Sequence, residues 1–275
     1  MNNSLLKKGN LVFLGAGNMA EALARGILRS GLCPAGRIRV ADPLPERLAI
    51  FHKEFGVVGT ADNKQAVRDA EIVILAVKPQ VMGQVLDELK GALTRDALVI
   101  SIAAGIPTGR YEAALGDGCR VVRVMPNTPA LVRCGASAVC GGRRATEADL
   151  QSAEAIMKAV GVVVRTKEQD MDAVTAVSGS GPAYVFYLVE AVLEAARRLG
   201  LEEAAAKKLF YETVEGVARL IKETGLEAGE LRRRVTSKGG TTAAAVEVLE
   251  NRKVKEALVD AVLAAHRRSR ELSQS

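Results

Sequence analysis

Apolar runs of strand length punctuate the first half of the chain. Residues 11–14 and 72–77 are continuous apolar runs, typical of strands covered on both faces. Residues 38–41, 57–58, 98–102 and 121–125 follow the same pattern more loosely. Between them the period changes. Met19, Leu23 and Ile27 recur at i, i+4 and i+8, one stripe of a helix that Gly31 closes. Residues 80–90 and 107–115 also read as helical. Strand and helix alternating at this spacing predict a doubly wound, mostly parallel sheet. Residues 136–140 add a strand. Thr146 with Asp149 resembles a capping box and opens a helix to about 160. Residues 162–164 form the last expected strand. From about 168 only helical periodicity remains, in segments 182–199, 203–224, 241–250 and 252–271. Leu209, Thr213, Val217 and Leu220 share one face, with Phe210, Val214 and Ile221 beside it. The class is therefore α/β over residues 1–165, followed by an all-α domain over residues 166–275.

Composition narrows the function classes. A length of 275 residues suits two domains. Aromatics are 3% with no Trp, so Ala, Val and Leu must fill the core. The net charge is +6, but basic residues alternate with acids except at Arg232, Arg233 and Arg234 and in the tail at Arg267, Arg268 and Arg270. These read as solvated helix faces. Without interleaved aromatics they offer no stacking surface, so a nucleic-acid partner is not expected. Cys33, Cys119, Cys134 and Cys140 form no CxxC pair, and His52 and His266 lie far apart. The expectation is no metal site, and reduced thiols in a cytoplasmic protein. No signal peptide is apparent at the N-terminus. Uninterrupted apolar stretches fall short of the ~18 residues a membrane helix needs, so no membrane partner is expected.

Two motifs carry chemistry. Gly15-Ala16-Gly17-Asn18-Met19-Ala20 fits G-x-G-x-x-A between a strand and a helix. Gly15 allows the tight turn, Gly17 lets backbone approach a pyrophosphate, and Ala20 lets the helix pack close to the strand. Asp42, at the end of the next strand, stands where an acid reads an unmodified ribose. An acid there favours NADH, whereas Arg47 or Arg39 could pair with a 2′-phosphate. Asp42 could equally only initiate the turn before Pro43. Ala76-Val77-Lys78-Pro79 and Met125-Pro126-Asn127-Thr128-Pro129 each end a strand on the same side of the sheet. The second, with Asn127 between prolines, suits a nicotinamide amide. Ser178-Gly179-Ser180-Gly181-Pro182 reads as a helix start with Pro182 near its first position. The second motif is Ser237-Lys238-Gly239-Gly240-Thr241-Thr242, with two glycines and then hydroxyls at a helix start. That is an anion nest suited to a small carboxylate.

At these residues the chain resembles the pyrroline-5-carboxylate reductases. GAGNMAEALARGIL, AVKPQ, SIAAGIP, VRVMPNTPALVRCG, AVSGSGPAYVF and SKGGTT stand in that family's order and span nearly the whole chain. The resemblance implies a Rossmann domain, then a helical domain interlocked between two subunits, as a homodimer and often a decamer. It implies reduction of 1-pyrroline-5-carboxylate to L-proline with NADPH or NADH. Cofactor contacts then fall on Gly15, Ala16, Gly17, Asn18, Met19, Asn63, Ala76, Val77, Lys78 and Pro79. Ser237, Gly239, Gly240 and Thr241 correspond to the carboxylate nest, and Thr242 to the hydroxyl that meets the ring nitrogen. With the strand-end readings of Asp42, Pro126 and Asn127, these are the candidate site residues. A β-hydroxyacid dehydrogenase shares the two-domain plan. Its G-x-G-x-x-x-K pattern would need lysine where Val185 stands. A dinucleotide sensor would leave SKGGTT unexplained.

Overall fold

The computed structural model describes residues 5–6, 9–116 and 118–274. Eight strands form one sheet in the order β3-β2-β1-β4-β5-β6-β7-β8. They are β1 (Asn10–Leu14), β2 (Ile38–Ala41), β3 (Val58–Thr60), β4 (Ala70–Leu75), β5 (Leu98–Ser101), β6 (Arg120–Met125), β7 (Gly135–Gly141) and β8 (Gly161–Arg165). All neighbours run parallel except β6 and β7. The chain winds outward from β1 to β2 and β3, then returns to place β4 on its other side. The crevice beyond the carboxyl ends of β1 and β4 is therefore the switch point where such sheets bind ligands.

Helices α1 (Asn18–Arg29), α2 (Pro45–Phe55), α3 (Asn63–Ala66), α4 (Met82–Leu89), α5 (Thr108–Leu115) and α6 (Glu147–Lys158) cover the sheet. The strand period explains the layering. In β1, Leu11 and Phe13 join one core with Leu23 and Ile27 of α1 and Ile156 of α6, while Val12 and Leu14 join a second core with Leu86 of α4 and Tyr111 of α5. Both faces of the strand are dry, so its sequence is apolar without alternation. Helix α6 has the full capping box: Asp149 N donates to Thr146 Oγ1 and Thr146 N to the Asp149 carboxylate.

Beyond β8 the chain is helical: α7 (Met171–Val174), a π-helical turn (Thr175–Gly179), α8 (Gly181–Arg198), α9 (Glu203–Thr224), α10 (Ala228–Arg234), α11 (Thr241–Asn251) and α12 (Val254–Gln274). Strands give way to helices at Arg165, where the sequence changes pattern. The packing divides elsewhere. One compact unit runs to Ser180 and includes the chain from Ala265 onward; the other is Gly181–Ala264. Residues 166–180 thus pack with the sheet, because Met171 and Ala176 are buried and Glu168 pairs with Arg123 of β6. The end of α12 joins the same unit through Ser269 and Ser273, which both donate to Asp172 Oδ1 at 2.7 and 3.1 Å.

The second unit has little interior. Among its residues only Ala206 is buried, while Phe186, Tyr187, Leu209, Val217, Leu220, Val248, Val259 and Leu263 are exposed. The helical run Glu168–Arg198 is long and apolar enough to cross a membrane by length and composition, and 6% of its most apolar window is buried within the chain. The sequence hides this run because scattered polar residues interrupt it without lowering its average.

Candidate active site

The glycine turn sits at the carboxyl end of β1. Its backbone is stitched to both neighbours: Gly15 N donates to Ala41 O, and Ala76 N to Leu14 O, both at 2.8 Å. Gly15 has φ +97°, and a Cβ there would lie 2.8 Å from the Ala76 carbonyl carbon and oxygen. Glycine is obligatory at this position for the protein's own sake. Gly17 differs. Its φ is −70°, it is exposed, and a Cβ would meet nothing within 4 Å. Neither strain nor packing demands glycine at 17, so the cradle above it fits an outside group. Gly17 is the N-cap of α1 with no side-chain cap, leaving the first-turn N–H groups of α1 without intrahelical acceptors. Free N–H groups and the positive helix end suit a pyrophosphate.

Asp42 braces this turn. Its Oδ2 accepts from Ala16 N at 2.7 Å and its Oδ1 from Leu44 N at 2.9 Å. Arg47 Nε donates to Ala16 O at 2.6 Å, and its Nη2 lies 3.3 Å from Glu21. The acid and the base that the sequence weighs as ribose readers both hold Ala16 from opposite sides. Arg39 donates to Arg68 O instead. Ala76 and Val77 are half-buried beside Gly15, while Lys78 and Pro79 are exposed and open a short 3-10 turn. Asn63 opens α3 after the cap residue Asp62, and its Nδ2 donates to Glu88 at 2.7 Å. Pro126 is buried at the end of β6. The expectation that Asn127 offers its amide to a nicotinamide meets an amide already engaged: Oδ1 accepts from Ala136 N at 2.8 Å and Nδ2 donates to Ser178 O at 3.1 Å.

Below the carboxyl end of β6 lies a polar group that sequence reasoning misses. Ser101, Arg123 and Cys140 stand in one row across β5, β6 and β7. Buried Arg123 lies 2.6 Å from Glu168, which also accepts from the Cys140 thiol at 3.4 Å. Ser101 Oγ and Tyr111 Oη are 2.5 Å apart. Burial pushes the Tyr111 phenol up to about 12, and burial with the nearby Glu168 carboxylate pushes the Cys140 thiol up to about 12. Both stay protonated at neutral pH and act as hydrogen-bonding core groups. The arginine in the middle of an apolar strand was the available signal.

In the second unit, Ser237 to Thr242 form the turn that starts α11. Gly239 is left-handed at φ +74°, and Gly240 N donates to Ser237 O at 3.0 Å. A Cβ on Gly240 would lie 2.6 Å from Ser237 Oγ, so glycine keeps that hydroxyl close to the helix start. Gly240 is the N-cap and supplies no side chain to the first turn. Thr241 is exposed and Thr242 half-buried at the head of the helix. Free N–H groups flanked by three hydroxyls suit one small anion. Among the described residues no group of three or more His, Cys, Asp or Glu could hold a metal ion.

Comparison with known proteins agrees with both halves. Residues 168–272 match the family model described as pyrroline-5-carboxylate reductase dimerisation, and residues 10–105 match that described as NADP oxidoreductase coenzyme F420-dependent. A pyrroline-5-carboxylate reductase of Methanosarcina acetivorans is 43% identical over 95% of this chain and 97% of its own. The structure of the Coxiella burnetii pyrroline-5-carboxylate reductase is 41% identical, covers 98% of this chain and all of its own, and superposes with a TM-score of 0.89. The Plasmodium falciparum pyrroline carboxylate reductase, solved with NADP bound, is 31% identical over 98% of this chain and 99% of its own, with a TM-score of 0.88. The chain belongs to the pyrroline-5-carboxylate reductase family.

Proposed function

We propose that this chain reduces the C=N bond of 1-pyrroline-5-carboxylate to give L-proline, the last step of proline biosynthesis, with NADPH or NADH as reductant. The observation that carries this reading is the pairing in one chain of an unstrained, open Gly17 above a helix start with the Ser237–Thr242 anion nest. When bound, the dinucleotide supplies a hydride from nicotinamide C4. The chain's residues bind and orient. Gly15 and Ala16 shape the turn, and the free N–H groups of Gly17, Asn18 and Met19 hold the pyrophosphate, with Ala76, Val77, Lys78, Pro79 and Pro126 as the wall, and Asp42 and Asn63 toward the ribose. Ser237, Gly239, Gly240 and Thr241 hold the substrate carboxylate. The imine carbon accepts hydride most readily when the ring nitrogen is protonated, so reduction of the iminium needs no further proton. Placement of the two reactants supplies most of the rate.

Thr242 donates to the ring nitrogen as its lone pair develops. The carboxylate contacts act equally on ground and transition states, whereas this bond strengthens along the reaction. One neutral hydrogen bond is worth ~0.5–1.5 kcal/mol. Thr242→Val should therefore lower kcat/KM for the imine acid by about two- to tenfold, with dinucleotide affinity unchanged. Steady-state kinetics equal to wild type would remove Thr242 from this role.

Initial rates with pyrroline-5-carboxylate and each dinucleotide test the activity itself. Both cofactors should serve, with NADH use substantial because of Asp42. Asp42→Asn removes the charge and keeps an acceptor for Ala16 N. It should raise the ratio of kcat/KM with NADPH to that with NADH. An unmoved ratio would make Asp42 a brace of the turn alone.

The uncovered apolar helices of the second unit fit a homodimer; a decamer built from such dimers is what the family resemblance adds. The family model that matches this stretch is a dimerisation model, which supports that reading. Four free thiols suit the cytoplasm.

A further inference from the structure

The Ser178-Gly179-Ser180-Gly181-Pro182 segment has no place in the mechanism above, yet its geometry is unusual. Residues Thr175–Gly179 form a π-helical turn, with Ser180 N donating to Thr175 O at 2.8 Å. Such turns are rare and concentrate at functional places. In a continuing α-helix the carbonyl of Ser178 would accept from residue 182, but that residue is proline and has no N–H. The missing donor comes from Asn127 Nδ2, 3.1 Å away. The other end of the same amide accepts from Ala136 N. Because Ala136 N can only donate and Ser178 O can only accept, the two partners fix the amide's orientation. Beside it, a Cβ on Gly179 would overlap the Met125 methyl, so the turn is seated directly on the last residue of β6. Ser180 is also the last residue of the first compact unit before α8 begins.

We propose that Asn127 is a positioning residue: its amide replaces the N–H that Pro182 lacks and locks the Thr175–Ser180 turn to the loop after β6. Loop and turn then move as one body at the carboxyl edge of the sheet. This rests on the reductase reading only for its kinetic consequence. A displacement of about 1 Å at a reacting site can cost about a hundredfold in rate, so release of the lock should reach kcat.

The test is a double-mutant cycle on the full-length chain. Asn127→Asp keeps the acceptor for Ala136 N and sets two acceptors against each other at Ser178 O. It should speed amide exchange at residues 180–185 at least tenfold and lower kcat about tenfold. The Kd for NADPH, followed by its fluorescence, should stay within twofold. Pro182→Ala restores an N–H to the helix and alone should change each readout less than twofold. In the double variant it should recover most of both losses. If Asn127→Asp does not fold, folding should return when Pro182→Ala is added. Losses that multiply without recovery, or a raised Kd for NADPH with unchanged exchange, would overturn the proposal and make Asn127 a cofactor contact. Exchange is read without turnover, so failure of the lock is distinguishable from failure of the reductase reading.

Discussion

Gly15→Ala should destabilise the first unit while Gly17→Ala should leave its stability intact and weaken dinucleotide binding. At position 15 a side chain is forced into φ +97° and into the Ala76 carbonyl group at 2.8 Å. Backbone strain of this kind costs about 1–3 kcal/mol before the overlap is counted, and each kcal/mol is worth roughly 2–4 °C of melting temperature at this size. At position 17 the backbone is one any residue adopts, and the Cβ meets nothing. Alanine there lowers the entropy of the unfolded chain, and its poorer capping of α1 offsets that gain, so stability changes little. The same methyl occupies the space through which a pyrophosphate must approach the helix N–H groups. We expect the Kd for NADPH to rise at least tenfold. Thermal melts and fluorescence titrations of both variants check this. Equal melting temperatures, or a Gly17→Ala variant that binds NADPH like wild type, would contradict it.

Glu168→Ala should be among the most destabilising single changes in the chain. Arg123 is 2% exposed and Glu168 is its ionic partner. One guanidinium nitrogen, Nη2, is buried and has no hydrogen-bond partner in the structure. Removing the carboxylate leaves a buried cation with nothing opposite it, at a cost of about 3–5 kcal/mol for a fully buried pair. Glu168 is about one-third exposed, so the lower end of that range applies. The sharper expectation concerns the double variant. Arg123→Met with Glu168→Ala removes the charge as well as its partner, and should be more stable than Glu168→Ala alone. Denaturant unfolding of the three variants decides. A double variant less stable than the single would show that the arginine contributes chiefly by packing.

The layered sheet was legible because its physics is local. Short apolar runs, helical stripes and a capping box each follow from neighbouring residues, and β1, α1 and α6 lie where those patterns put them. The glycine turn was legible for the same reason. Features that join distant residues were not. The π-helical turn depends on a proline four residues past Ser178 and on an asparagine 51 positions earlier in sequence, a pairing no local period reveals. The division at Ser180 depends on Glu168, Met171 and Asp172 packing back on the sheet unit, although the helical periodicity starts with them. Asp42 and Arg47 show a third limit. Their residue types fit ribose recognition, but only coordinates reveal that both also brace Ala16. The short α10 goes unread because Ala228–Arg234 has no apolar stripe, only arginines paired with Glu230.

Hydride transfer from a nicotinamide to the imine carbon leaves an isotopic trace in the product. The most direct measurement supplies pyrroline-5-carboxylate and NADPH carrying deuterium at both C4 positions, and analyses the product by mass spectrometry and NMR. The expected product is L-proline with one deuterium, on ring carbon 5, formed one for one with oxidised dinucleotide. Dinucleotide binding without labelled proline, or oxidation of NADPH that leaves the imine acid unchanged, would contradict it.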